Sequence, residues 1–230
     1  MLEAHVVKRR RQFVVDASLA IARGESAALF GPSGAGKSTF LSCVAGLERP
    51  DSGTIVWEAR VLFPAAAAVP ARPFGYLAHD PALFPHMTVA RNVAFGVAGV
   101  ADRPQLLAQL RDAFRLADLW SARPAELSAG QARRVALARM LARRPAVVLL
   151  DEPFSGLDRV VVRELIALLR RWQAEHAFAM LVVDHQEHVL RALCSVVYVM
   201  EQGRIVQAGS WDQIDRAPAT ATLSALLSPL

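Results

Sequence analysis

The feature that most constrains this chain is a glycine-rich loop, GPSGAGKST, at residues 31–39. Gly31, four further residues and then Gly36-Lys37-Ser38 form the phosphate-binding loop pattern, which lies between a strand and a helix. Glycines let the backbone approach phosphate, while successive N–H groups and the helix N-terminus face its negative charge. Lys37 is placed to reach the β- and γ-phosphates, and Ser38 to hold Mg²⁺. The loop therefore predicts a strand–loop–helix unit that binds ATP or GTP.

A second motif closes an apolar strand with two carboxylates. Asp151 and Glu152 follow the run VVLL at residues 147–150. Carboxylates at such a strand end are metal ligands or bases at the edge of a sheet, and an ordinary surface Asp-Glu pair is the alternative. Beside a phosphate loop, Asp151 is placed to hold Mg²⁺ through water, and Glu152 to take a proton from the attacking water. The two motifs together predict a site for nucleotide hydrolysis.

Short apolar strands alternate with helical segments along the chain. Two early strands, the second ending at Phe30, are expected on either side of a turn at residues 23–25, and a helix from Lys37 to Leu47. The pattern further predicts a β-ribbon within 50–63, a proline-containing loop at 64–73, a strand at 75–79 and a mainly helical insert at 88–145. After the insert we expect strands at 146–150 and 178–183 on either side of a helix at 161–176. Another helix and a hairpin around Gly203 follow. This order predicts an α/β fold with a largely parallel sheet and antiparallel pieces at both ends.

Composition narrows the possible partners and compartment. A net charge of +5 and a pI near 10 indicate affinity for an anion: nucleotide, nucleic acid or the inner membrane surface. Cys43 and Cys194 lack CxxC or Cys/His spacing, so we expect buried free thiols rather than a zinc site or a disulfide. Apolar runs such as FAMLVV are far shorter than the roughly 18 residues that cross a bilayer, and the N-terminus lacks the apolar segment of a secretory signal. The expected location is cytoplasmic.

Three further motifs in sequence order give the chain a family resemblance. LSAGQ occupies residues 127–131, LLDEPFSGLD residues 149–158, and VVDHQEH residues 182–188. Together with the phosphate loop, they resemble the ATP-binding-cassette (ABC) ATPases over nearly the whole chain. LSAGQ looks like the signature of that family, with Ala129 where the usual form has a second glycine, and VVDHQEH carries its switch histidine at His185.

The resemblance implies an architecture and an assembly. We expect a P-loop NTPase core with a mostly parallel sheet, an N-terminal antiparallel β subdomain and an α-helical signature subdomain. Residues 1–230 are expected to form a single nucleotide-binding domain with the helical subdomain inserted at about 82–145, and without a C-terminal regulatory domain. The family arrangement is a head-to-tail dimer, with ATP between the phosphate loop of one subunit and the signature of the other.

Site roles follow from matching positions. The resemblance implies catalytic roles for Glu152, His185 and His79, and magnesium ligation by Ser38 and Asp151. Ser128 is expected to be an N-cap whose helix end presents N–H groups to a γ-phosphate, and a cap without a binding role is the alternative. Phe13 is where an aromatic ring could stack on adenine, although a plain core residue is an equal alternative. The expected nucleotide-binding residues are Phe13, Gly31, Pro32, Ser33, Gly34, Ala35, Gly36, Lys37, Ser38, Thr39, Ser128, Ala129, Gly130, Gln131 and Asp158, the last lying across the dimer seam.

The stretch GYLAHDPALFPHMTVARNVAFG, at residues 75–96, departs from the family pattern at one point. In importer-type members a similar stretch begins with a glutamine that senses the γ-phosphate site, and His79 holds that position here. Imidazole cannot offer the combined oxygen and NH₂ of an amide, so we expect slow or pH-sensitive hydrolysis that His79→Gln would accelerate. The alternative is that His79 points away from the site. The downstream apolar residues keep the importer-like pattern, which implies docking to a membrane subunit.

The sequence is therefore identified as an importer-type ABC ATPase subunit, most similar to the molybdate type, that hydrolyses MgATP. The cargo implied is molybdate or another oxyanion; a thiamine-type or other small-solute importer is the alternative, and a soluble ABC ATPase without transport is less favoured. Implied partners are an integral-membrane permease, a second copy of the chain and, indirectly, a periplasmic or extracellular solute-binding protein, but no nucleic acid. The expected location is cytoplasmic, peripheral on the inner face of the membrane.

Two groups of basic residues receive plain structural interpretations. The run from Lys8 to Arg11 is expected to form an exposed turn near the nucleotide, with a lipid-facing or phosphate-binding role as the alternative. The arginines that follow the signature are expected to form a solvated face with packing side-chain stems. They are Arg133, Arg134, Arg139, Arg143 and Arg144.

Overall fold

A computed structural model of the chain describes residues 1–11, 13–65, 73–97 and 102–227. Its strands form two sheets. The first is antiparallel and has the order β2-β1-β4-β5, built from β1 (Leu2–Arg9), β2 (Val14–Ile21), β4 (Ser52–Trp57) and β5 (Arg60–Phe63). The second has the order β10-β9-β3-β8-β7-β6, built from β3 (Ser26–Phe30), β6 (Phe74–Leu77), β7 (Val147–Asp151), β8 (Ala179–Val183), β9 (Val196–Glu201) and β10 (Arg204–Ser210).

The six-stranded sheet is parallel except at β10, which pairs antiparallel with β9. Its central strands β3 and β8 are buried along their whole length, and β7 is buried up to Asp151. Continuous apolar runs are typical of parallel strands that helices cover on both faces. The α/β fold with a largely parallel sheet and antiparallel pieces at both ends is thus confirmed.

The antiparallel sheet contains a strand that the sequence interpretation did not include. Buried and exposed residues alternate along β2, as expected for a strand with one solvated face, and β1 pairs with β2 on one side and β4 on the other. The expected exposed turn from Lys8 to Arg11 is therefore wrong for its first two residues, which end β1. Asp51 holds this end, because its carboxylate accepts hydrogen bonds from Lys8 Nζ at 3.0 Å and from the Arg9 backbone N–H at 2.7 Å.

Eight α-helices are described. They are α1 (Lys37–Ala45), α2 (Val89–Gly96), α3 (Arg103–Ala113), α4 (Ala129–Leu141), α5 (Arg159–His176), α6 (Glu187–Leu193), α7 (Trp211–Arg216) and α8 (Ala221–Leu227). The expected helical insert corresponds to α2, α3 and α4, between β6 and β7. Most of the loop expected at 64–73 lies outside the described residues.

Two apolar cores hold the elements whose ends form the candidate site. Helix α1 contacts β1 and β2 of the antiparallel sheet and β6 and β7 of the parallel sheet, so it lies between them in one core. The helical insert packs with α5 and α6 in the other core, where Phe114 and Phe154 are fully buried. The carboxyl ends of β3, β7 and β8 consequently meet at one edge, where α1 begins. Within the described residues no helix is both long and apolar enough to cross a membrane.

Candidate nucleotide-binding and hydrolytic site

The phosphate loop joins the carboxyl end of β3 to the N-terminus of α1. Gly31 and Gly36 have φ angles of 146° and 101°, in the region that favours glycine. A Cβ at Gly31 would lie 2.1 Å from the Met200 carbonyl oxygen, and one at Gly36 would lie 2.8 Å from Val15 Cγ2. The packing of the two sheets therefore requires glycine at both ends of the loop.

Lys37 lies at the start of α1 and its side chain folds back over the loop. Its Nζ donates hydrogen bonds to the carbonyl oxygens of Gly31 and Pro32, both at 2.8 Å. Burial lowers the pKa of Lys37, and the carboxylates of Glu152 and Asp151 oppose that shift. A partly desolvated ammonium group beside the free N–H groups at a helix N-terminus is suited to bind phosphate.

Ser38 and Asp151 meet although they are far apart in the sequence. Ser38 Oγ donates to Asp151 Oδ1 at 3.0 Å, and the Tyr76 hydroxyl donates to Oδ2 at 3.2 Å. Burial raises the pKa of Asp151, while these two hydrogen bonds lower it. Burial and the nearby Asp151 charge raise the pKa of Tyr76 to about 12, so Tyr76 remains a donor at neutral pH. A hydroxyl and a carboxylate oxygen this close fit Mg²⁺, which prefers few protein oxygens and keeps several waters.

Glu152 is the centre of a cluster that three separate segments build. Its backbone N–H donates to the Val183 carbonyl oxygen at 2.8 Å, which ties it to the end of β8. Its Oε2 lies 3.9 Å from Nδ1 of His79 and 3.9 Å from Nδ1 of His185. The structure thus brings together the three residues for which catalytic roles were expected, with the His79 imidazole beside Glu152, and their roles in hydrolysis stay predictions. The partly exposed carboxylate can accept a proton from a water molecule beside it.

Asp184 and Tyr76 are polar neighbours of the site that sequence reasoning missed. Asp184 is fully buried, its Oδ1 accepts the Gln186 backbone N–H at 2.9 Å, and the same oxygen lies 3.7 Å from His185 Nδ1. Burial raises the pKa of Asp184. Its position directly before His185 was the available signal for Asp184, whereas Tyr76 carried none, because its contact with Asp151 depends on the pairing of β6 with β7.

Phe13 lines a cavity of about 290 Å³ over the phosphate loop. The other lining residues are Ser33, Gly34, Gly36, Lys37, Ser38, Thr39 and Glu152. Phe13 also packs against the core between the two sheets, as expected of a core residue, and its stacking on adenine stays a prediction. At the rim, Arg10 donates to Thr39 Oγ1 at 3.3 Å.

The signature lies at the N-terminus of α4 and does not line this cavity. Ser128 Oγ accepts the Gln131 backbone N–H at 3.3 Å, and Gln131 Oε1 accepts the Ser128 N–H at 2.8 Å, which is a capping box. The N-cap predicted for Ser128 is confirmed. Asp158 likewise caps α5 by accepting the N–H groups of Val160 and Val161. Within one chain, Ser128 to Gln131 and Asp158 are therefore separate from the phosphate loop.

The expectation of a solvated arginine face after the signature is wrong for Arg133, and holds only for Arg143 and Arg144, which are exposed. Arg133 is 3% exposed, because the loop after β6 crosses α4 at this point. Arg134 is half-buried and pairs with Glu164 of α5. Arg139 is half-buried and donates to the carbonyl oxygens of Pro81 and Ala82, both at 2.9 Å.

The segment from 82 to 96 forms an aromatic surface next to α4. The rings of Phe84 and Phe95 lie 4.7 Å apart, and the Arg139 guanidinium lies 5.1 Å from the centre of the Phe84 ring. Buried Asn92 shapes the turn, because its side chain accepts the Phe84 N–H at 2.9 Å and donates to the Met87 and Phe84 carbonyl oxygens. Phe95 is 59% exposed, so this rigidly held surface faces solvent.

Comparison with known proteins agrees with this geometry. A family model described as ABC transporter matches residues 14–155. A Fe(3+) ions import ATP-binding protein of Pseudomonas fluorescens is 43% identical over 218 residues, which cover 93% of this chain and 62% of that protein. A sulfate/thiosulfate import ATP-binding protein of Ralstonia nicotianae is 44% identical over 227 residues, covering 94% of this chain and 60% of that protein. The chain thus spans about three fifths of the length of these relatives.

Solved structures share the fold along nearly the whole chain. The structure of an ATP binding subunit of an ABC transporter superposes with a TM-score of 0.83 at 26% identity, covering 98% of this chain and 97% of that one. A dimeric ATP-binding cassette in a post-hydrolysis state, bound to ADP and Pi, superposes with a TM-score of 0.78 at 24% identity, covering 91% of this chain and 98% of that one. The second likeness concerns the fold alone.

Proposed function

The chain belongs to the ABC transporter family, and from that premise we propose that it is the ATP-hydrolysing subunit of a membrane solute importer. The observation that carries this proposal is the convergence of Lys37, Ser38, Asp151 and Glu152 at one edge of the parallel sheet. A phosphate-binding ammonium, two magnesium-binding oxygens and a carboxylate base are what phosphoryl transfer to water requires.

Each group has a distinct task in the proposed reaction. Lys37 and the loop N–H groups bind the phosphates, and Ser38 with Asp151 would hold Mg²⁺. The metal supplies positive charge that offsets the negative charge of the transferring phosphoryl group. Glu152 accepts the proton of the attacking water, and His185 beside it orients the carboxylate and contacts the γ-phosphate.

A second copy of the chain completes the proposed site. Ser128 and Ala129 are exposed at the start of α4, where free N–H groups and the helix dipole attract an anion, yet they do not line the cavity of their own chain. A head-to-tail dimer would bring these groups to the γ-phosphate bound by the partner. Asp158, exposed at the start of α5, would lie in the same interface.

For the cargo we propose an oxyanion, with molybdate as the solute that the sequence resemblance favours. A relative named for sulfate/thiosulfate import supports the oxyanion class, and one named for Fe(3+) import makes a metal ion the competing cargo. The proposed partners are an integral-membrane permease and, through it, a solute-binding protein outside the membrane. The subunit would then lie on the cytoplasmic face of the membrane, as one nucleotide-binding domain.

The proposed permease contact is the aromatic surface of Phe84 and Phe95. The test is affinity co-purification with a co-expressed importer permease, comparing wild type, Phe95→Asp and a matched control, Val61→Asp. Val61 is also an exposed apolar residue, at 47%, but lies in β5 of the antiparallel sheet. We expect Phe95→Asp to lose the permease while Val61→Asp retains it.

Two results would count against the proposal. Equal permease recovery with both variants would reject this docking surface. Wild-type protein that fails to hydrolyse MgATP, alone and in the permease complex, would reject the ATPase function itself. Vesicles that contain the transporter complex, tested for uptake of radiolabelled molybdate, sulfate or Fe(3+), would decide among the cargoes.

A further inference from the structure

Arg133 occupies an unusual place for a charged side chain. It lies in α4, two residues after the signature, and is 3% exposed. Its Nη1 donates to the Ala78 carbonyl oxygen at 2.8 Å, and its Nη2 donates to the His79 carbonyl oxygen. The planar guanidinium therefore binds two consecutive carbonyl groups of the loop that follows β6.

The cost of burying the Arg133 charge indicates that its role is to stabilise the loop after β6. Burial lowers the pKa of the guanidinium, and the more distant Asp80 carboxylate only partly opposes this. The described hydrogen bonds of the Arg133 guanidinium go to backbone carbonyl oxygens, whereas the Asp80 carboxylate acts on it only through its charge. An apolar side chain would pack at this position without the desolvation of a charge. The arginine thus stabilises one conformation of the loop rather than α4 itself.

The loop conformation decides where the His79 imidazole lies. The side chain of His79 is 66% exposed, and its polar neighbour in the described structure is Glu152, at 3.9 Å. Because the exposed His79 side chain has few packing contacts, its position depends on where the backbone of the loop is held. Arg133 binds the Ala78–His79 end of the loop, whereas Arg139 binds the Pro81–Ala82 end.

We infer that Arg133 is a positioning residue for hydrolysis, acting through the His79 backbone to hold the imidazole beside the Glu152 carboxylate. This inference rests on the proposed function, because it requires Glu152 to be the base. It assigns to the helix of the signature a direct mechanical connection with the hydrolytic site of its own chain. Displacement of α4 would move His79, since the two are joined through a rigid bidentate group.

The test replaces Arg133 by methionine, which keeps an unbranched apolar stem but removes both donors. The matched control is Arg134→Met, on the same helix, where the lost partner is Glu164 of α5 and not the loop. Hydrogen exchange measured by mass spectrometry on full-length protein should show at least ~10-fold faster exchange in a peptide spanning residues 76–84 for Arg133→Met only. The kcat for ATP should fall about 10-fold with KM changed less than about 2-fold, as for loss of a supporting contact.

A double-mutant cycle distinguishes positioning from a general loss of structure. If Arg133 acts through His79, Arg133→Met should lower kcat much less in a His79→Ala background than in wild type. Should Arg133→Met not fold, Arg133→Lys carries the test, because an ammonium cannot hold two carbonyls in the same fork geometry, and its kcat should also fall.

Unchanged exchange of the loop, or equal loss of kcat in both backgrounds, would overturn the inference. If wild-type protein does not hydrolyse ATP, the proposed function fails instead. Hydrogen exchange of residues 76–84 would still show whether Arg133 holds the loop through its bonds to Ala78 and His79.

Discussion

Replacing Glu152 by glutamine separates catalysis from stability, because the amide keeps the shape of the carboxylate but cannot take a proton. Loss of a general base typically lowers the rate ~10²–10⁴-fold, which corresponds to about 3–5 kcal/mol in the activation barrier. ATP binding should remain, since Lys37 and the loop N–H groups are unchanged.

The same substitution should change stability little. Glu152 is 40% exposed, and its imidazole neighbours His79 and His185 are 66% and 59% exposed at 3.9 Å. Exposed ion pairs contribute roughly 0–1 kcal/mol, so at about 0.5 kcal/mol each the two contacts should change the free energy of unfolding by about 1 kcal/mol in total. For a chain of this size that corresponds to a change in Tm of roughly 2–4 °C.

The assay combines steady-state ATPase rates, thermal unfolding and gel filtration with MgATP. Glu152→Gln should accumulate an ATP-dependent dimer, because ATP enters the shared interface and is not consumed. The double variant Lys37→Ala/Glu152→Gln is the control and should remain monomeric. A monomer peak for Glu152→Gln combined with wild-type turnover would refute the assignment of the base and of the dimeric site.

Three further predictions test other parts of the site. Lys37→Ala should abolish hydrolysis and weaken nucleotide binding, because the phosphates lose a partly buried counter-charge, and full activity in that variant would reject the phosphate site. His79→Gln should raise the rate at neutral pH, because an amide offers both an oxygen and an NH₂; superimposable rates from about pH 6 to 8.5 would contradict this. Gly96→Ala should destabilise the protein by about 1–3 kcal/mol in urea unfolding, because the new Cβ would lie 2.2 Å from the Arg139 carbonyl oxygen, and an unchanged midpoint would contradict the close packing of α2 on α4.

Local patterns in the sequence were sufficient for several parts of the molecule. The helix beginning at Lys37, the strand ending at Asp151 and the hairpin at Gly203 follow from glycine placement and from runs of apolar residues, which act within a few neighbouring positions. The N-cap at Ser128 follows in the same way from a hydroxyl before a helical run. Such features are determined by the chain close to them, so the sequence alone decided them.

Other features depend on how distant segments pack, and only the tertiary structure decided them. Apolar and polar residues alternate from Leu2 to Val6, which is a local strand signal that the sequence interpretation did not use, but the place of β1 between β2 and β4 is decided by its pairing with both strands. The carboxylate of Glu152 meets His79 and His185 because β6, β7 and β8 end at one edge of the sheet. Arg133 looks like a surface residue in sequence, yet it is buried because a loop 54 positions earlier supplies its hydrogen-bond acceptors. Contacts over such separations are selected by the packing of whole elements, which the residues on either side of each position do not encode.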